Sequence, residues 1–172
     1  MTSPFRFERI GEQHDRAAFR CGEKALDRYF QTQATQDIRR RVANCFVAVE
    51  VTTNQVAAYY TLSAASIPVV DLPPEEIKRL PRYPTLPAVR IGRLAVDERF
   101  QGRGLGGALL MNAAHRTLLA DAAAYTLLVD AKNDGAVAFY QGYGFRPLSS
   151  QPRTLFLPLA VVQKTLLDKA VR

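Results

Sequence analysis

The residues whose types and spacing point to chemistry lie in Val96-Asp97-Glu98-Arg99-Phe100-Gln101-Gly102-Arg103-Gly104-Leu105-Gly106-Gly107-Ala108-Leu109-Leu110. The stretch reads as a strand end, a short charged turn and a glycine-dense loop running straight into a helix. Glycines let backbone N–H groups approach a ligand with no Cβ in the way. A helix starting at Gly104 or Leu105 adds unpaired amides and a partial positive charge at the same point. Together these make an anion cradle, and a pyrophosphate is the anion that suits it best.

The elements that must position this loop are legible on either side of it. Residues 23–42 place Leu26, Tyr29, Phe30, Ala34, Ile38 and Val42 on a helical stripe. Residues 45–51 and 56–62 are β-rich runs joined by Thr52-Thr53-Asn54-Gln55, which predicts a hairpin. The proline-dense stretch 67–87 resists a central strand or a long helix; it reads as an irregular excursion with one short helix over 75–80. Residues 89–96 form the next strand. Its apolar phase shifts from Val89 and Ile91 to Leu94 and Val96, a slip at Gly92-Arg93 that a β-bulge would produce. A strand buried on both faces is the other reading of that pattern.

Downstream, residues 105–119 predict a mostly apolar helix with Asn112, His115 and Arg116 on its polar side. Residues 125–129 read as an inner strand ending at Asp130. Residues 133–141 read as a helix capped by Asn133 and stopped near Gly142 or Gly144, and 145–148 with 154–159 as a closing strand pair. Phe139 and Tyr140 are adjacent on that helix and point about 100° apart, so one of them belongs to the core. Tyr143, Tyr59 and Tyr60 read as structural.

The 172 residues, 48% of them hydrophobic, suffice for one domain over 1–172 with a full core. No apolar run is long enough to span a membrane, and Met1-Thr2-Ser3-Pro4-Phe5-Arg6 lacks a signal peptide's apolar core, which predicts a cytoplasmic protein. Cys21 and Cys45 lack metal-ligand spacing and read as reduced thiols; no metal is expected. His14 and His115 read as surface or capping residues. The net charge of +7 favours polyanionic partners. Its cations cluster at Arg39-Arg40-Arg41, at Lys78-Arg79 with Arg82, and at Arg90, Arg93, Arg99 and Arg103.

Gly102-Arg103-Gly104-Leu105-Gly106-Gly107 also fits the dinucleotide fingerprint G-x-G-x-x-G, with Asp130 closing the next strand. That reading lacks its context: residues 97–101 separate strand from loop, and too little chain follows for a doubly wound sheet. Gln101-Gly102-Arg103-Gly104-Leu105-Gly106 instead matches Q/R-x-x-G-x-G/A, and the chain resembles the GNAT family of acetyl-coenzyme A-dependent N-acetyltransferases. Asn133-x-x-Ala136-x-x-Phe139-Tyr140-x-x-x-Gly144-Phe145 resembles that family's second cofactor motif.

The resemblance extends to acetyltransferase toxins of toxin–antitoxin systems. It is carried by Phe19-x-Cys21-Gly22-x-x-x-Leu26-Asp27-x-Tyr29-Phe30, Ala58-Tyr59-Tyr60-Thr61-Leu62-Ser63, Leu80-Pro81-Arg82-Tyr83-Pro84, Gly92-Arg93-Leu94-Ala95-Val96-Asp97 and Leu155-Phe156-Leu157-Pro158-Leu159. It implies an α/β GNAT fold, in which helices flank a central, mixed and mostly antiparallel twisted sheet with a bulged strand. It also implies acetylation of the amino group of aminoacyl-tRNA, a ribbon-helix-helix antitoxin and a homodimer.

On this resemblance, the backbone of Leu94, Ala95 and Val96 would meet the thioester, and Gln101, Gly102, Arg103, Gly104, Leu105 and Gly106 would hold the pyrophosphate. Asn133, Ala136 and Phe139 would flank acetyl-CoA, Tyr140 would protonate the leaving thiolate, and Arg90 and Arg93 would contact tRNA. No general base is evident. An α-amine, with a pKa of about 7.7–8.0 against about 10.4 for lysine, needs one least. Acetylation of protein N-termini, lysines or small amines is the alternative activity, and a non-catalytic acetyl-CoA-binding module the alternative class.

Overall fold

The computed structural model describes residues 3–170. Met1, Thr2, Val171 and Arg172 lie outside the described residues; these are the ends of the expected 1–172 domain and the start of the segment read as leaderless. Seven strands, β1 (Phe5–Arg9), β2 (Asn44–Glu50), β3 (Val56–Pro68), β4 (Thr85–Val96), β5 (Thr126–Asp130), β6 (Arg146–Pro147) and β7 (Thr154–Pro158), form a sheet in the order β1-β2-β3-β4-β5-β7-β6. β1–β2, β2–β3, β5–β7 and β6–β7 pair antiparallel, and β4–β5 pairs parallel. A mixed sheet of this kind removes the dinucleotide reading, which needs a doubly wound parallel one.

The chain divides into two compact units, one built from the chain up to Ser63 with Gly92–Ala113, the other from Ala64–Ile91 with the chain from Ala114 onward. In the first, the expected hairpin is present, with Phe46 opposite Tyr60 and a register shift between Ala48 and Val49. Against it lies a helical segment made of α1 (Lys24–Arg28), a π-turn at Tyr29–Gln33 and α2 (Ala34–Arg39). The helix expected over 23–42 is therefore interrupted, and it ends early: Arg41 adopts φ 61° and Val42 is 58% exposed. The buried Tyr59 hydroxyl donates to the Leu26 carbonyl at 2.7 Å, just before the wide turn.

Phe19, Phe30 and Tyr59 form the centre of this core, Phe30 stacking on Tyr59 at 4.5 Å and Phe19 meeting both edge-on. His14 is a correction: it is buried, with Nδ1 accepting from the Gly11 N–H at 2.8 Å and Nε2 facing Glu8 at 2.7 Å. Cys45 is buried, and that burial raises its thiol to a pKa of about 12.

In the second unit, β3 carries on to Pro68 and β4 starts at Thr85, before the expected strand start at 89. Pro87 is accommodated within β4 on an exposed position, where a missing N–H is tolerated. The excursion shrinks to residues between these strands and holds α3 (Pro74–Ile77), shorter than the predicted 75–80 helix. Leu72, Leu86, Leu128, Leu148 and Phe156 form the core beneath it. α5 (Asp134–Gly142) and α6 (Leu159–Ala170) complete the unit; α6 and β1 are elements the sequence pattern did not single out. α4 (Leu105–Leu119) matches its expected span. Asn112 belongs to packing as well as to the polar face, accepting from the Tyr60 hydroxyl at 2.6 Å. His115 is exposed.

Phe30→Ala should cost about 3–5 kcal/mol, the usual range for emptying a fully buried aromatic site. Tyr59→Phe, which removes one hydrogen bond from a Leu26 carbonyl that keeps the Tyr29 N–H, should cost about 0.5–1.5 kcal/mol. Urea midpoints of the two variants should fall in that order.

Candidate active site

In the first unit the site is built around the end of β4. The β4–β5 ladder runs only as far as Ile91↔Val129, where the expected slip begins. Beyond it, the Arg93 N–H donates to the Thr61 hydroxyl at 3.1 Å, and a Cβ on Gly92 would sit 3.1 Å from that same oxygen. Leu94 and Val96 are half-buried and Ala95 is buried. The strand ends at Val96 and Asp97 follows it, capping the short turn at Glu98–Phe100.

Asp97 is almost completely buried, and its carboxylate accepts four N–H bonds. They come from the backbone of Arg20 (3.0 Å) and Arg99 (2.9 Å) and from the Arg99 guanidinium (2.9 and 3.1 Å). Burial by itself would raise its pKa; the Arg99 bonds and the Arg20 amide outweigh burial and hold it below the ordinary carboxylate value. A carboxylate followed two residues later by arginine was the available signal.

The loop that follows is exposed from Gln101 to Gly104. Gln101 turns its amide back into the fold, Nε2 donating to the Cys21 carbonyl at 3.0 Å and the Val96 carbonyl at 2.9 Å. Gly102 and Gly104 sit at φ +80° and +75°, and a Cβ added at either would meet nothing within 4 Å. The backbone is open there to an approaching anion. α4 begins at Leu105, so Gly104, which has no side chain to cap it, leaves the first-turn amides facing the loop. Gly106 lies in that first turn. Arg103 is more than half exposed, its guanidinium 5.3 Å from the Phe100 ring centre. Arg93 lies over the Tyr29 ring at 3.6 Å, and the Tyr29 hydroxyl donates to Asp37 at 2.8 Å.

In the second unit the residues that the sequence points to lie at the end of β5 and on helix α5. Asn133 caps α5, its side-chain oxygen accepting from the Ala136 N–H at 2.8 Å. No residue of α5 is fully buried. This corrects the expectation that either Phe139 or Tyr140 is core: Phe139 is 36% exposed and Tyr140 half-buried. Tyr143, expected to be structural, is 45% exposed and meets only the edge of Phe139 at 5.2 Å. Tyr140 packs edge-on to Phe145 at 5.6 Å. Burial first, and Asp130 second, raise its pKa above the ordinary phenol value, so it holds its proton at neutral pH. Arg90 is ion-paired with Asp130, whose other oxygen accepts from the Thr154 hydroxyl at 2.8 Å.

The described residues contain no cluster of side chains able to hold a metal, and none of their helices is long and apolar enough to cross a membrane. An open glycine cradle at a helix N-terminus, following a strand that leaves its ladder, suits the phosphates of an anionic cofactor. The chain belongs to the GNAT acetyltransferase family: residues 80–157 fit the family description "acetyltransferase (GNAT) domain".

Within that family the chain is similar to several toxins. It is 31% identical over 163 residues to a probable toxin TacT of Sinorhizobium fredii, covering 90% of each chain. It is 32% identical to a tRNA-acetylating toxin of Mycobacterium tuberculosis, covering 87% of this chain and 89% of that one. The fold matches AtaT complexed with acetyl-methionyl-tRNAfMet at TM-score 0.84 and 29% identity, over 94% of this chain and 99% of AtaT. It also matches a tyrosine-to-phenylalanine AtaT toxin bound to the C-terminus of antitoxin AtaR and acetyl-CoA, at TM-score 0.77 and 26% identity, over 95% and 99% of the chains.

Two measurements check this geometry. Gly104→Asp puts a Cβ and a carboxylate into the open cradle, so calorimetry should show acetyl-CoA binding to the unaltered chain and little to the variant. Because its pKa is depressed on folding, Asp97 contributes stability above its unfolded pKa of about 3.9, and that contribution is lost as pH falls through the lower folded value. Asp97→Asn should therefore unfold at lower urea than the unaltered chain at pH 7, and the gap should narrow below about pH 4.

Proposed function

We propose that this chain is an acetyl-CoA-dependent toxin that acetylates the α-amino group of aminoacyl-tRNA and so blocks translation. The observation that carries the reading is the unobstructed backbone at Gly102 and Gly104 leading into α4. The names of the relatives, a tRNA-acetylating toxin and AtaT with acetyl-methionyl-tRNAfMet, support the substrate class.

In this mechanism the amides of the 101–107 loop and first turn hold the pyrophosphate, with Arg103 adding charge. A backbone amide of Leu94, Ala95 or Val96, freed where the strand leaves its ladder, polarises the thioester carbonyl as oxyanion charge develops. The neutral amine attacks the carbonyl carbon, the C–S bond breaks, and the proton shed by the amine passes to solvent. The phenol of Tyr140 donates its proton to the departing thiolate. Asn133 and Ala136 fix the start of the helix that carries Tyr140, and Phe139 lies beside the cofactor chain. Arg93, fixed by Tyr29, contacts tRNA phosphate, as does Arg90 from its ion pair. Both units belong to one acetyltransferase domain over 1–172, acting in the cytoplasm as a homodimer. A ribbon-helix-helix antitoxin neutralises it, a role for which the AtaR complex of AtaT is the supporting precedent.

Tyr140→Phe should bind acetyl-CoA normally and lose about 10²–10⁴-fold in kcat. The rate on charged tRNA should rise with pH through the α-amine pKa, near 7.7–8.0, with no alkaline fall before about pH 10, because Tyr140 is shifted upward. Expression without antitoxin should arrest growth and Tyr140→Phe should relieve the arrest. Turnover of the variant within a fewfold of the unaltered chain, or acetylation of small amines with which charged tRNA does not compete, would refute the assignment.

A further inference from the structure

We propose that the outer edge of the segment between β3 and β4, formed by Lys78, Arg79 and Arg82 with Tyr83, docks the phosphate backbone of RNA. The inference rests on the proposed action on tRNA and adds a surface for it apart from Arg90 and Arg93.

The segment is a closed, anchored loop. The Val69 N–H donates to the Pro84 carbonyl at 3.0 Å and ties its two ends together. Leu72 is fully buried in the unit's core, and Ile77 and Leu80 pack against the same cluster. Pro73, Pro74, Pro81 and Pro84 restrict the backbone between these anchors. Compact loops of this kind, with their ends joined, are frequently functional.

The anchoring also sorts the charge. Arg146 donates to Glu76 at 3.0 Å and to Glu75 at 2.8 Å, and the Tyr125 hydroxyl donates to Glu76 at 3.0 Å. Asp71 accepts from the Ser150 hydroxyl at 3.0 Å. The acidic side chains of the segment are thus bonded by β6, by the residue preceding β5 and by the turn after β6. Lys78, Arg79 and Arg82 are exposed and have no ion pair among the described residues; Arg79 acts on Glu75 without bonding it. Tyr83, next to Arg82, is 62% exposed.

Three unpaired cations beside an exposed aromatic ring match RNA, with phosphates for the cations and a base face for the ring. A protein partner fits less well. Charged side chains are depleted at the core of protein interfaces, and the apolar side chains that could form such a core here, Leu72, Ile77 and Leu80, are spent within the unit.

The test is fluorescence anisotropy of labelled bulk tRNA on the whole chain across a salt series, with the K78A/R79A/R82A triple variant and Tyr83→Ala alongside. The triple variant should bind roughly tenfold or more weakly near 0.15 M salt, and the slope of log Kd against log salt should fall by about two to three. Tyr83→Ala should weaken binding about fivefold or more with little change in slope. For acetylation of charged tRNA, KM should rise with kcat unchanged. Binding and slope equal to the unaltered chain overturn the proposal. So does tRNA binding that is unchanged while affinity for the antitoxin is lost, which would make this edge a protein-docking surface. A chain that binds tRNA through these residues yet acetylates no charged tRNA would sustain the docking surface and refute the proposed activity instead.

Discussion

The buried carboxylate of Asp97 is the constraint on which the cradle depends. A glycine loop is floppy by nature, because glycine gives up the most backbone freedom on ordering. It can present amides to an anion only if both of its ends are held. At the upstream end, Asp97 bonds the Arg20 and Arg99 amides and the Arg99 guanidinium. Its own N–H donates to the Ala57 carbonyl and the Glu98 N–H to the Arg20 carbonyl, both at 2.8 Å. Gln101 adds two further bonds to main-chain carbonyls. At the downstream end the loop passes into α4, whose Leu105, Leu109 and Leu110 are buried. Order is imposed on the glycines from outside, and their amides stay open.

Such a carboxylate is stable only because every burial cost is met by an N–H. An ionised group taken from water without partners would neutralise itself or disrupt the fold. Asp97 instead has four donors, and the depressed pKa is the electrostatic record of that arrangement. In the second unit the exposed carboxylate of Asp130 is shared between Arg90 and Thr154. That pairing decides how Arg90 can act: its charge is partly committed, whereas Arg93 is held by a ring face that leaves its N–H groups for other partners.

Tyr140 illustrates the opposite use of burial. A phenol needs no help to stay protonated at neutral pH. Half-burial on a helix with no fully buried residue removes enough water to keep it so, without sealing the ring into the core. The exposed Phe139 and Tyr143 on the same helix mark a face that packing within the chain has not claimed. Apolar periodicity alone could not distinguish that face from a core stripe.

The sequence by itself determined the loop, its helix, the hairpin, the Asn133 cap and the family, since each rests on local chemistry. Glycine at 102 and 104 is needed for positive φ, an asparagine three residues before an amide caps it, and alternation reports a half-buried strand. It also held the basic clusters, as composition. What only the tertiary structure decided was which charges remain available. Glu75 and Glu76 are close to Lys78 and Arg79 in sequence, yet they pair with Arg146, far along the chain, and the bases have no ion pair among the described residues. His14 became a buried, bonded ring, and Asp97 a structural centre, through partners that lie far away in sequence or across a turn. The helix around the π-turn at Tyr29 takes a hydrogen bond from a hydroxyl on β3. Periodicity reports which face an element buries, but the partner of a polar side chain is set by what folding brings beside it, and no local pattern encodes that.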